Sequence, residues 1–231
     1  MMSKIPEIKD PEIYTDANFT DSSFVCVASD EHVEVSMQYP ILKMTNAESK
    51  CLMRREVYEK LQKAAGMLPE GYRFKIYDAW RPFALQHELY EKYKVEIIRI
   101  YNLEDAPEDV QRDMIKKFVS EPVKDIKTPP VHTTGGAVDL TIVDDKSNEL
   151  DMGGGFDELS DRSKTSYYEG SEESEIINNR RLLYNAMTSA GFTNLPSEWW
   201  HYDYGDRFWA YYTKHPAIYE GVFEKTDAMD Q

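Results

Sequence analysis

Apolar residues recur along this chain with two periods, one near 3.6 and one of 2, and the switches between them mark its elements. Val33 to Tyr39 alternates loosely and predicts a strand. From Ala47 to Ala65, the residues Leu52, Val57, Leu61, Ala64 and Ala65 fall near helical spacing, and Gly66 fits the stop. Tyr72 to Tyr77 alternates as a second strand. Pro82 suits the first turn of a helix, which the spacing carries to about Ile98, and a further helix is predicted from Pro107 to Val119. Ala137 to Val143 is a near-continuous apolar run and reads as a buried strand. The stretch 148–163, with Gly153-Gly154-Gly155, reads as a loop. Glu173 to Ala190 predicts a helix stopped at Gly191, Trp199 to Tyr204 a last core strand, and Asp206 to Tyr212 a short helix. Residues 1–25 have no clear period and read as an extended arm wrapped on the rest. Strands and helices mix without strict alternation. The expected fold is therefore α+β: one domain over 1–231, with a central antiparallel sheet flanked by helices.

Composition narrows the class. The chain has 231 residues, 41% hydrophobic and 13% aromatic, enough for a substantial core. Its formal net charge of −15 opposes a broad contact with nucleic acid or an anionic membrane. No stretch approaches the ~20 apolar residues that span a bilayer. Met1 to Phe24 lacks a basic start followed by an apolar run, so no signal peptide is visible. A cytoplasmic location is expected, or an exported one if a leader has been removed. Cys26 and Cys51 make neither a disulfide framework nor a zinc knuckle and are expected as reduced thiols.

The chemistry concentrates in two short stretches. One is His132-Thr133-Thr134-Gly135-Gly136-Ala137-Val138-Asp139; the other is Glu198-Trp199-Trp200-His201. They hold two of the five histidines, one carboxylate fit to be a ligand and one spare carboxylate. Three protein ligands, an open position for water and a nearby base make a catalytic zinc site. His132 and Asp139 lie seven apart, an odd separation that puts them on opposite faces of a straight strand. Sharing a metal requires a turn, which Gly135-Gly136 can supply. His132 is therefore expected in a loop or at a strand edge, and Asp139 inside the following strand. The same parity separates Glu198 from His201, and Pro196-Ser197 places Glu198 in a turn where it can lean over the metal. A buried Asp139 needs a cation, a metal or several donors to offset desolvation. In this scheme His132, Asp139 and His201 hold one Zn2+ per chain, Glu198 is the general base, and Arg81 stabilises the oxyanion. Cobalt or nickel suits the same donors.

Five groups of residues carry a wider likeness: Tyr77-Asp78-Ala79-Trp80-Arg81-Pro82; His132-x-x-x-Gly136-x-x-Asp139-Leu140-Thr141; Met152-Gly153-x-x-Phe156-Asp157; Asn179-Arg180-Arg181-Leu182 with Gly191-Phe192; and Glu198-Trp199-Trp200-His201-Tyr202. In this order, over Val33 to Tyr204, they resemble the D-alanyl-D-alanine dipeptidases of the VanX type, zinc peptidases related to the D,D-carboxypeptidases. The resemblance implies an α+β fold and a small closed pocket that admits a free dipeptide. It implies the same zinc ligands, base and arginine, and it adds Asp157 near the substrate's free amine and Tyr39 at the site. It further implies a role in vancomycin resistance or in recycling D-alanine from cell-wall precursors. The chain departs from the family at Pro130 and Val131, where serines commonly precede the first histidine. The alternatives are a zinc D,D-carboxypeptidase, a dipeptidase of other specificity, or a non-catalytic protein that keeps the metal fold. Intact Glu198 and Arg81 speak against the last.

Overall fold

The protein is described by a computed structural model covering residues 2–230. Its elements run β1 (Phe24–Val27), β2 (Val33–Val35), α1 (Gln38–Ile41), β3 (Cys51–Arg54), α2 (Arg55–Ala65), β4 (Arg73–Asp78), α3 (Phe83–Ile100), α4 (Glu108–Ile115), β5 (Ala137–Val143), α5 (Ser174–Ser189), β6 (Thr193–Asn194), β7 (His201–Asp203) and α6 (Arg207–Thr213). Five strands form a sheet in the order β2-β4-β5-β7-β6, and β1 pairs with β3 in a separate ribbon. Helices surround the sheet, so the architecture is α+β as expected. The sheet is antiparallel except at one edge, where β2 runs parallel to β4.

All seven residues of β5 are buried, which explains a nearly continuous apolar run in place of alternation. Helix α2 lays Val57, Leu61, Ala64 and Ala65 into the main core, where Leu183, Ala186 and Met187 of α5 join them. Each large side chain buried there contributes roughly 1.5–3 kcal/mol. A second cluster joins Leu85, Leu89, Tyr93 and Ile97 of α3 to Ile115, Val119 and Tyr39. This cluster forms one wall of the site described below.

Three expectations need correction. The helical spacing from Ala47 spans two elements: Cys51–Arg54 is a strand buried at every position, and the helix begins only at Arg55. A short apolar run that joins a helix in phase carries no sign of the change. Val33 to Tyr39 is likewise not one strand. The strand ends at Val35, and Tyr39 is buried in the short helix α1. The helix read from Pro107 to Val119 ends at Ile115. Other elements match to within a few residues, including β4, β5, α5 and α6.

Residues 2–23 form no helix or strand apart from an isolated bridge between Ala17 and Ala217. The arm is pinned across the molecule. Ile5 is buried, its amide donates to Glu169 Oε1 at 2.9 Å, and Asp10 Oδ1 accepts from Ser197 N at 3.0 Å. Cys26 lies opposite Leu52 and Cys51 opposite Val27, so the two thiols are on opposite faces of the ribbon and both are free. Among the described residues no helix is long and apolar enough to cross a membrane.

The turn into β5 is closely packed. Val131–Thr134 is one turn of 3-10 helix, and Gly135 follows it at φ +72°. A side chain on Gly135 would meet the ring of Phe24. Substituting Gly135→Ala should therefore cost about 2 kcal/mol of stability, from left-handed strain together with the clash. Urea denaturation measures it, and an unshifted midpoint would show that the turn tolerates a side chain.

Candidate active site

Two registers build the centre. Across β5 and β7, Asp139 stands directly opposite His201. Paired residues in an antiparallel sheet share a face, with their Cβ atoms about 5 Å apart. Across β4 and β5, Asp78 stands opposite Asp139, just past an irregularity between Ile76 and Asp78. Bulges of this kind re-aim side chains beside active sites. The turn at Gly135 brings His132 back over Asp139, as the odd spacing requires.

The donor atoms converge. His132 Nε2 lies 3.2 Å from His201 Nδ1 and 3.3 Å from Asp139 Oδ2, and His201 Nδ1 lies 3.0 Å from Asp139 Oδ1. All three residues are buried. Two donors around a tetrahedral zinc, each about 2.0–2.1 Å from it, lie about 3.3 Å apart. The observed spacings fit that edge, so the three side chains could hold a divalent ion. Their outer nitrogens are occupied elsewhere. His132 Nδ1 donates to the Ala79 carbonyl at 2.8 Å, and His201 Nε2 donates to Asp203 Oδ1 at 2.8 Å. Each bond assigns the proton to the outer nitrogen and turns the inner lone pair toward the cluster.

The electrostatics also call for a cation. Asp78, Asp139 and Asp203 are buried within this centre. Burial opposes the charged form of His201, but Asp203 and Asp139 outweigh it and raise its pKa well above the ordinary imidazole range. Burial likewise opposes ionised Asp139, and His132 and His201 overcome it to hold the carboxyl well below the usual range. Glu198 Oε2 is 3.7 Å from His201 Nδ1, outside the three-donor cluster. Burial first, then Asp139 and Asp157, push Glu198 up to about 8, against His201 and Arg81. A dication held by the cluster would act in the same sense as Arg81 and favour its carboxylate.

Arg81 follows β4 and is itself buried. Its Nε donates to Asp78 Oδ2 at 2.9 Å, its Nη1 to Gln86 Oε1 at 2.8 Å and its Nη2 to the Tyr39 hydroxyl at 3.2 Å. Nη2 also lies 3.5 Å from Asp139 Oδ2. The Tyr39 hydroxyl in turn donates a hydrogen bond to Asp157 Oδ2 at 2.9 Å. Asp157 sits at φ +56°, a left-handed conformation that aspartate tolerates better than most residues. Phe156 anchors this loop against Tyr77 and Trp200, with ring centroids 4.8 and 5.6 Å away. Burial raises Asp157 to about 6, opposed by its hydrogen bonds from Tyr93 and Tyr39.

All seven residues singled out in the sequence, Tyr39, Arg81, His132, Asp139, Asp157, Glu198 and His201, line one cavity. It is a small, narrow cavity, with about 50 Å³ open to the centres of water molecules. Val131, Leu195 and Phe208 make an apolar wall on it. The sequence reading did not anticipate Asp78, Gln86, Tyr93, Asn194 and Asp203. Asn194 Nδ2 donates to the carbonyls of both Glu198 and His201, at 3.1 and 2.9 Å, tying the turn to the strand. The signal for Asp203 was available: it lies two residues after His201 on a strand and shares its face.

The sequence profile described as D-ala-D-ala dipeptidase matches residues 35–219, a span that holds every cavity residue named above. The chain belongs to the D-Ala-D-Ala dipeptidase family. It is therefore a peptidase. It is similar to the D-alanyl-D-alanine dipeptidase of Synechocystis sp., 35% identical over 184 residues, which covers 71% of this chain and 74% of that protein. The Escherichia coli K12 protein of the same name is 32% identical over 157 residues, 68% of each chain. That of Enterococcus faecalis is 40% identical over 73 residues, 31% of this chain and 35% of the relative.

The cluster predicts its own response to substitution. His132→Ala and His201→Ala should each abolish stoichiometric binding of Zn2+, and Asp203→Asn should weaken it about 10–100-fold by removing the negative charge that the His201 ring donates to. Competition against a chromophoric chelator measures both effects. Native affinity in the histidine variants would place the metal elsewhere.

Proposed function

We propose that this chain is a zinc-dependent dipeptidase that hydrolyses D-Ala-D-Ala to two molecules of D-alanine, with Glu198 as general base. Family membership, the names of its dipeptidase relatives and the small cavity support the substrate. The observation that carries the mechanism is the placement of Glu198. Its carboxylate faces the donor side of His201 without joining the cluster, as a base for water requires.

His132 Nε2, Asp139 and His201 Nδ1 would hold the ion. Zinc, when bound to such a set, lowers the pKa of water to about 7 and polarises a carbonyl. Glu198 takes the proton of the attacking water and returns it to the leaving amine nitrogen. Arg81 directs Nη2 to the oxygen on which charge develops, and Asp78 and Gln86 fix its plane. Asp157 offers its carboxylate to the substrate's ammonium. The apolar wall of Val131, Leu195 and Phe208 excludes water from the other side.

Release of D-alanine from D-Ala-D-Ala, with and without a chelator, tests the reading. The dipeptide should be cleaved, the chelator should abolish cleavage and zinc should restore it. No cleavage by zinc-loaded protein would overturn the proposal. Equal cleavage of a pentapeptide ending in D-Ala-D-Ala would favour a D,D-carboxypeptidase. Glu198→Ala should keep its zinc while turnover falls about 10²–10⁴-fold; loss of zinc in that variant would contradict the assignment of roles. Arg81→Ala should depress kcat with little change in metal content, as steady-state kinetics beside metal analysis would show.

A further inference from the structure

We infer that Tyr93 is a specificity-determining residue, which holds Asp157 so that the site selects a substrate with a free, charged amine. The inference rests on the reading of Asp157 as the partner of that amine.

Tyr93 belongs to α3, and its ring packs in the apolar cluster with Leu89, Ile97 and Val119. Its hydroxyl donates to Asp157 Oδ2 at 2.6 Å. The Tyr39 hydroxyl donates to the same oxygen at 2.9 Å while accepting from Arg81. Both phenol protons thus converge on Oδ2. Among the described residues no hydrogen bond is made to Oδ1, and Asp157 lies on the cavity wall. The arrangement fixes the carboxylate plane and leaves Oδ1 as the acceptor for an incoming ligand.

The two tyrosines differ in what else they hold. Tyr39 touches Arg81 and so couples the amine end to the reacting end. The hydroxyl of Tyr93 serves Asp157 alone among the hydrogen bonds of the described residues. Asp157 also faces the charges of Asp139, Glu198 and Arg81, and burial favours its neutral form. The two phenol protons oppose that loss of charge. A neutral carboxyl would bind a hydroxyl about as well as an amine; an ionised one, held in place, prefers an ammonium.

The test compares D-Ala-D-Ala with D-lactoyl-D-alanine, of similar shape but with a hydroxyl in place of the amine. KM is measured for the dipeptide, and Ki for the isostere by competition. Tyr93→Phe removes one oxygen and keeps the packed ring, so the fold is retained; the thermal midpoint and zinc content check this. The expected result is about a tenfold rise in KM, with kcat within threefold of native and the isostere's Ki within twofold. An equal rise in KM and Ki would reduce Tyr93 to a packing residue, and no change in either would remove it from recognition; both overturn the inference. Asp157→Asn in the same assay separates the two readings. If it leaves the preference for the amine intact, the reading of Asp157 fails. If it removes that preference while Tyr93→Phe does not, only the role of Tyr93 fails.

Discussion

The site depends on one cross-strand pair, Asp139 of β5 against His201 of β7. A carboxylate on a strand with no exposed position would be costly unless a positive partner met it there. The register supplies His201 from one side and the Gly135 turn supplies His132 from another. A one-residue slip of β7 would carry His201 to the opposite face of the sheet and leave Asp139 buried without that partner. The backbone reinforces the register. Leu140 donates to the Trp200 carbonyl and Tyr204 to the Gly136 carbonyl, while the Arg81 amide donates to the His132 carbonyl and links that histidine to the end of β4.

Outside this pair the site is arranged around an excess of negative charge. Asp78, Asp139, Asp203, Asp157 and Glu198 gather about the cavity and its base, and among the described residues Arg81 is the lysine or arginine on the cavity wall. The acids divide by what they touch. Asp203 orients His201, Asp78 orients Arg81, and Asp157 and Glu198 face the space a substrate would fill. Carboxylates crowded at this depth are stable together only when a cation or a proton is shared among them. A divalent ion in the cluster would meet that need.

Much of this was legible in the sequence, for identifiable reasons. Odd spacing between His132 and Asp139, with two glycines between them, required a turn, and the structure has one. The run Ala137–Val143 showed a buried strand because a strand covered on both faces does not alternate. Other features carried no local signal. Cys51–Arg54 continued the phase of the following helix, and the parallel edge formed by β2 is a tertiary fact. Gln86 and Tyr93 lie seven apart with Leu89 between them, on one face of α3. In a sequence they look like polar interruptions of an apolar stripe, and only the folded cavity shows that each grips a charged group.

The most direct measurement is anomalous diffraction from crystals of the zinc-loaded protein, collected on both sides of the zinc absorption edge. The account predicts one strong peak per chain, bounded by His132 Nε2, His201 Nδ1 and a carboxylate oxygen of Asp139, with Glu198 beside it but not bound. A peak at any other place, or none between these three side chains at full zinc loading, would contradict it.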